Sequence, residues 1–166
     1  MKAIAVYPGQ KGSVHLRDVE KPSFGGNEIL VKNLYAGICG TDREINEGLY
    51  GEAPVGDDYL ILGHESVGVI ENLGSNVLGS YEVGDYVVRT VRRSCGCCEN
   101  CFVGHNDMCS TGDFTEAGIK GVHGGMAEYV VDVPDYLVKV PEELKNVAVL
   151  LEPLSVVEKA TREALK

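Results

Sequence analysis

Up to Val140 the chain carries short apolar or alternating runs of strand length, each closed by glycine, proline or aspartate. Lys2–Pro8 and Ser13–Val19 read as strands, the second placing Val14, Leu16 and Val19 among polar residues. Glu28–Tyr35 alternates again from Ile29 and Val31 and runs into Ala36-Gly37-Ile38-Cys39-Gly40. The β-branched runs Ser66–Asn72 and Asp85–Val91 predict two further strands. Met126–Val133 and Tyr136–Val140 predict two more, with Pro134 and Pro141 as stops. Thr41 or Asp42 can cap a short helix through Glu47, which Gly48 ends. Pro22–Asn27 and Tyr50–Asp58 read as loops.

The period changes at Pro141. Glu142–Leu151 and Leu154–Lys166 read as helices, and Val156, Val157, Ala160, Ala164 and Leu165 form one apolar stripe on the second. Nothing in the sequence covers that stripe, so residues 1–150 are expected to form one unit. Residues 151–166 are expected to be a helix leading into a further domain. Glycine accounts for 21 of 166 residues, about 13% against a usual ~7%, which suits many short strands joined by tight turns. The predicted class is mainly β with short helices.

Charge narrows the partners. Fifteen basic against 25 acidic residues give a net charge of −10, and the only basic cluster, Arg89, Arg92 and Arg93, is expected to pair with the acidic surface. A nucleic-acid partner is therefore excluded. No apolar run approaches the roughly 20 residues that span a bilayer, and the start is too short for a secretory leader. Six cysteines without a leader imply a reducing, cytoplasmic compartment.

Five of the cysteines crowd between Cys95 and Cys109, and Cys95-x2-Cys98-x2-Cys101-x7-Cys109 has the spacing of a four-thiolate zinc site. Such a site is closed and therefore structural, and it replaces the apolar core that this polar segment lacks. Cys97 falls out of phase with these steps. A second constellation is Gly63-His64-Glu65-x2-Gly68-x5-Gly74-x2-Val77. Alone, His64 and Glu65 could be a surface ion pair and Cys39 a small buried hydrophobe. Two features favour chemistry instead. Cys39-Gly40-Thr41-Asp42 offers a thiol, a hydroxyl and a carboxylate directly after a strand, and Glu152-Pro153 puts a carboxylate into an apolar stretch. His15 and His105 are expected to face solvent, and His123 to be a loop histidine.

In this order, these motifs resemble the catalytic domain of zinc-dependent medium-chain alcohol dehydrogenases, over the whole chain. Ile38–Ile45, Val91-Arg92-Arg93, Glu116–Ile119 and Leu151–Leu154 resemble the glucose (aldose) dehydrogenase branch. The resemblance implies a GroES-like, partly open β-barrel over residues 1–150, with a four-cysteine zinc lobe at 93–112. It implies two zinc ions per chain. Cys39, His64, Glu65 and Glu152 would hold the catalytic one, the two glutamates alternating with water. Asp42 would orient the ligand histidine, and Thr41 would take the proton of the substrate alcohol. Glu116 would hydrogen-bond sugar hydroxyls, with Thr41 and Glu152 also lining the substrate. Hydride from a sugar or polyol would pass to NAD or NADP. No two glycines stand at i and i+2, so the chain contains no G-x-G-x-x-G, and the nucleotide-binding Rossmann domain is expected to be absent from it. The isolated chain is thus expected to be inactive, and the whole enzyme to be a homo-oligomer. Two other readings stand beside this one: a polyol or secondary-alcohol dehydrogenase, and a non-catalytic zinc-binding scaffold.

Overall fold

The computed structural model describes residues 1–166. The seven predicted runs become seven of eleven strands: β1 (Lys2–Val6), β2 (His15–Asp18), β3 (Ile29–Ala36), β4 (Leu60–Ile61), β5 (Ser66–Leu73), β6 (Tyr86–Arg89), β7 (Arg92–Arg93), β8 (Thr115–Ala117), β9 (Gly121–Val122), β10 (Tyr129–Asp132) and β11 (Leu137–Val140). Of these, β4, β7, β8 and β9 are additional. Three helices accompany them: α1 (Gly40–Asn46), α2 (Glu99–Phe102) and α3 (Leu151–Ala164). The largest sheet is antiparallel, in the order β10-β3-β5-β6-β11. A second, β2-β1-β4, is joined to it through a bridge between Ala3 and Ala127. The third, β7-β8-β9, ends in a short parallel pair.

Two apolar clusters fix this arrangement. Ile29, Val31, Ile70, Val87, Val130 and Leu137 come from all five strands of the large sheet. Val6, Ile45, Leu60, Leu62 and Ile119 clamp α1 onto the second sheet. Burying a side chain of this size contributes about 1.5–3 kcal/mol each. Between them runs the long β3–β5 pair, whose register sets Ala36 opposite Ser66 and shifts twice on the way, between Leu30 and Val31 and between Asn33 and Tyr35. At Gly68, opposite Asn33, a side chain would press on Val31 and the Lys32 carbonyl, so only glycine lets the strands approach this closely.

Strand ends and the C-terminal helices differ from the sequence expectation. β2 starts at His15 because Ser13 is taken up in a turn, its Oγ accepting from Tyr7 N–H at 3.0 Å and donating to Tyr7 O at 3.1 Å. The two-residue strands β4, β7 and β9 carry no periodicity long enough to read. Glu142–Leu151 is not an α-helix but two 3₁₀ turns, Glu142–Leu144 and Ala148–Leu150. β-Branched Val147 and Val149 weaken the helix there, and Ala148, Val149 and Leu151 pack onto Val67, Val88 and Val140 instead. α3 begins at Leu151 rather than Leu154, since Pro153 lies in its first turn, where the backbone N–H has no partner in any case. None of its residues is buried, and Leu154, Val156, Val157 and Leu165 are exposed. No helix is long and apolar enough to cross a membrane.

The arginines also depart from expectation. Arg89 and Arg93 are buried, not at the surface, and both hold Asp132: Arg89 Nε donates to Oδ2 at 2.8 Å, and Arg93 donates to both oxygens at 2.9 and 2.7 Å. The Arg93 guanidinium lies 3.9 Å from the Tyr136 ring centroid. His15 is half-buried and stacked on Tyr7 rather than free in solvent, whereas His105 is exposed. His123 anchors a loop: Nδ1 accepts from Ile61 N–H at 3.1 Å, so Nε2 carries the proton and donates to Asp57 at 3.1 Å, while the ring stacks on Tyr59. Burial holds its pKa below the ordinary 6.5, against the pull of the Asp57 charge.

Asp132→Asn, which leaves two buried guanidinium groups without a counter-charge, should lower the unfolding free energy by about 3–5 kcal/mol in urea denaturation. His123 binds its proton more weakly folded than unfolded, so its contribution is complete above the unfolded pKa and is lost as the pH falls below it. His123→Asn keeps an acceptor near Ile61 N–H without titrating. From about pH 7 to about pH 5 the wild type should therefore lose stability more steeply than the variant.

Candidate metal centres

The β3–β5 register carries two chain ends to the same place: the segment leaving Ala36 toward Cys39, and the one entering Ser66 from His64. Gly37 N–H donates to Glu65 O at 2.7 Å and ties them together. Cys39 Sγ then stands 3.1 Å from His64 Nε2, and one Glu65 carboxylate oxygen joins them within 4.8 Å. A side chain at Gly37 would collide with the Glu65 carboxylate. Gly63 holds φ at 96°, a conformation glycine adopts without strain, and its backbone is pressed against Gly118 and Met126. The turn presenting His64 is thereby fixed from both sides.

Cys39 itself, rather than Thr41 or Asp42, caps α1. Its Sγ accepts from Thr41 N–H at 3.3 Å, and Asp42 Oδ2 accepts from Cys39 N–H at 2.9 Å, a capping box with sulfur in the usual hydroxyl position. The other Asp42 oxygen lies 3.8 Å from His64 Nδ1; both atoms are buried and neither has another partner. With Nδ1–H toward Asp42, the Nε2 lone pair faces the Cys39 sulfur, as a metal-ligating histidine requires. Thr41 sits half-buried beside them.

Glu152 is the expected ligand that stays outside this three-residue group. It enters from the first turn of α3, and burial pushes its pKa up, with His64 acting against the rise and Glu65 adding to it. Glu116 is buried on β8, two residues before Gly118. Arg92 Nε donates to its Oε1 at 3.0 Å with Nη2 2.8 Å from the same oxygen, and the Tyr50 hydroxyl donates to Oε2 at 3.3 Å. Arg92 is in turn stacked 3.6 Å over Phe114. Burial raises the Tyr50 pKa, and the Glu116 charge raises it further. Tyr50 had no signal in the sequence, because it meets Glu116 across 66 positions.

The second group is all sulfur. Cys95, Cys98, Cys101 and Cys109 bring their Sγ atoms within 4.8 Å of one another, and all six cysteines are free thiols. Cys98 N–H donates to Cys95 Sγ at 3.4 Å and Cys101 N–H to Cys98 Sγ at 3.5 Å. The backbone of Cys97, the Thr111 hydroxyl and the backbone of Cys98 lower the Cys95 thiol to about 5. The backbones of Cys101 and Ser110 lower Cys98 to about 7. Between Ser94 and Gly112 only Cys98 and Cys101 are buried, so the lobe has no apolar core of its own. A soft divalent ion fits this donor set: four converging sulfurs, N–H groups that favour the thiolates, and a fold with little else to hold it.

Residues 25–142 match the family described as "Alcohol dehydrogenase GroES-like domain". Glucose 1-dehydrogenase of Methanocella arvoryzae is 54% identical over 167 residues, covering 100% of this chain and 46% of that protein. Glucose 1-dehydrogenase 1 of Caldivirga maquilingensis is 53% identical, covering 99% and 46%. The structure of Haloferax mediterranei glucose dehydrogenase in complex with NADP, Zn and gluconolactone superposes with a TM-score of 0.89 at 38% identity, over 99% of this chain and 46% of that one. The chain thus spans about half the length of the relatives it matches.

Two separate donor sets predict two zinc ions per chain by elemental analysis. Cys39→Ala should retain one ion and keep the cysteine lobe folded; loss of both ions on that substitution would contradict the division into two centres.

Proposed function

Since the chain belongs to the alcohol dehydrogenase GroES-like domain family, we propose that it is the catalytic domain of a zinc- and NAD(P)-dependent glucose 1-dehydrogenase, oxidising a sugar hydroxyl by hydride transfer. The observation that carries this reading is the mixed group of thiol, imidazole and carboxylate at Cys39, His64 and Glu65, set apart from the all-sulfur group. A closed four-thiolate set has no position for substrate, whereas three mixed donors leave one open.

Cys39, His64 and Glu65 would hold the catalytic ion, with Glu152 approaching from α3. Zn²⁺ bound there supplies Lewis acidity, which makes a hydroxyl brought to it far more acidic at neutral pH. Asp42 keeps the His64 proton on Nδ1 and so keeps Nε2 free to ligate. Thr41, at the second position of α1, is assigned to receive the proton that the substrate hydroxyl gives up. Glu116 is paired with Arg92 through Oε1, and its Oε2 retains acceptor capacity beyond the Tyr50 hydroxyl, which suits one sugar hydroxyl. Cys95, Cys98, Cys101 and Cys109 would hold the structural ion. The hydride acceptor, NAD or NADP, would be bound by a nucleotide-binding unit outside these 166 residues, in an assembly of several copies. Thiols that all remain free suit a reducing, cytoplasmic setting.

Titrating the zinc-loaded chain with D-glucose should shift the backbone NMR resonances of Thr41 and Glu116. Glu116→Gln should weaken that binding by about tenfold or more, the loss of a hydrogen bond to a charged acceptor. No response to any sugar, or a stronger one to 2-propanol, would overturn the reading. The chain alone should reduce no NAD(P).

A further inference from the structure

Five thiols stand in the cysteine lobe, yet only four share the sulfur cluster. The fifth, Cys97, is the one exposed cysteine of the chain. Its Sγ lies 3.6 Å from Cys95 Sγ, sulfur against sulfur. Only Gly96 separates them, and its φ of 73° turns the chain back so that both thiols reach the same side. An accessible thiol touching a second thiol is the arrangement in which oxidation stops reversibly at a disulfide. Here the second thiol is also one of the four converging sulfurs.

We propose that Cys97 is an oxidation site through which a peroxide withdraws Cys95 from the sulfur cluster and releases the lobe's metal. The Cys97 sulfur attacks one peroxide oxygen; the O–O bond breaks, giving a sulfenic acid, and the departing oxygen leaves as water. Cys95 Sγ then attacks Cys97 Sγ; the S–S bond forms, the S–O bond breaks, and the second oxygen leaves as water. For hydrogen peroxide the sum is two thiols plus H₂O₂ giving one disulfide and two waters. Each sulfur loses one electron and the peroxide gains two; where Cys95 begins as a metal-held thiolate, solvent supplies its missing proton. Three sulfurs do not close a tetrahedral site. Cys98 and Cys109, 3.9 Å apart, are the other close pair, but Cys98 is buried and so less open to attack.

The consequence reaches beyond the lobe. Without metal, a segment that buries only Cys98 and Cys101 has little to keep it folded. Asp107 of the lobe forms an ion pair with Lys159 of α3, the helix whose first turn carries Glu152. Oxidation at Cys97 would therefore loosen a tether of the helix beside the mixed centre. None of this depends on the substrate proposed above.

The test uses the zinc-loaded chain and equimolar hydrogen peroxide, following zinc release with a chromogenic chelator and mapping the products by mass spectrometry. The wild type should release the structural ion, lose two hydrogens in a peptide containing Cys95 and Cys97, and take zinc up again after dithiothreitol. Cys97→Ser and Cys97→Ala should both load two zinc ions and release the structural one more slowly by about tenfold or more. Equal release from wild type and variants would overturn the proposal. So would a disulfide joining any other pair, or a Cys97 variant unable to fill the sulfur centre, which would make Cys97 a ligand.

Discussion

The mixed centre of this chain depends on the register of one antiparallel strand pair. With Ala36 opposite Ser66, the ends of β3 and β5 lie side by side, and the next few residues have no freedom to diverge. Cys39 and His64, 25 residues apart in sequence, meet at 3.1 Å as a result. The burial of Ile29 and Val31 on one strand and Ile70 on the other locks that register, because a slip by one position would turn apolar side chains outward. Core packing here is therefore a statement about the site: the same contacts that stabilise the sheet set the distance between a thiol and an imidazole.

The molecule holds its buried charges in two different ways. In the sheet region, Asp132 of β10 is closed off by two arginines, one from β6 and one from β7, and both oxygens of its carboxylate are engaged. At the mixed centre the polar atoms are left incompletely partnered: Asp42 Oδ1 and His64 Nδ1 are buried with only each other at 3.8 Å. The first arrangement saturates both carboxylate oxygens and leaves only Arg93 Nε without a partner. In the second, buried polar groups are incompletely satisfied, and groups of this kind gather where chemistry is done. Cys39 connects structure and chemistry directly, since the sulfur that faces His64 also caps the helix bearing Thr41 and Asp42.

Much of the site was legible in the sequence because it is written in short spacings. Two-residue steps between cysteines, and glycines around His64-Glu65, constrain geometry locally enough to be read without a fold. The pairs that close through space were not legible. Nothing near Glu116 announces Tyr50, and three arginines within five residues look like a surface patch until the strands carry Arg89 and Arg93 inward to Asp132. The three-stranded sheet β7-β8-β9 is built from two- and three-residue pieces, shorter than any periodicity. The segment after Pro141 failed for another reason: its apolar residues fit a helix, but the surface of the large sheet offered Ala148 and Val149 a better partner than the helix did.

The two register shifts in the β3–β5 pair carry a last implication. Each inserts a residue that has no opposite number, so the side on which later residues emerge depends on how many precede them. Between Asn33 and Cys39, Gly37 apart, the chain can exchange one side chain for another without altering that count. It cannot gain or lose a single link, because that would send the thiol out through the wrong face of the sheet. Over this stretch, inheritance should be strict about count and, outside Gly37, lenient about composition.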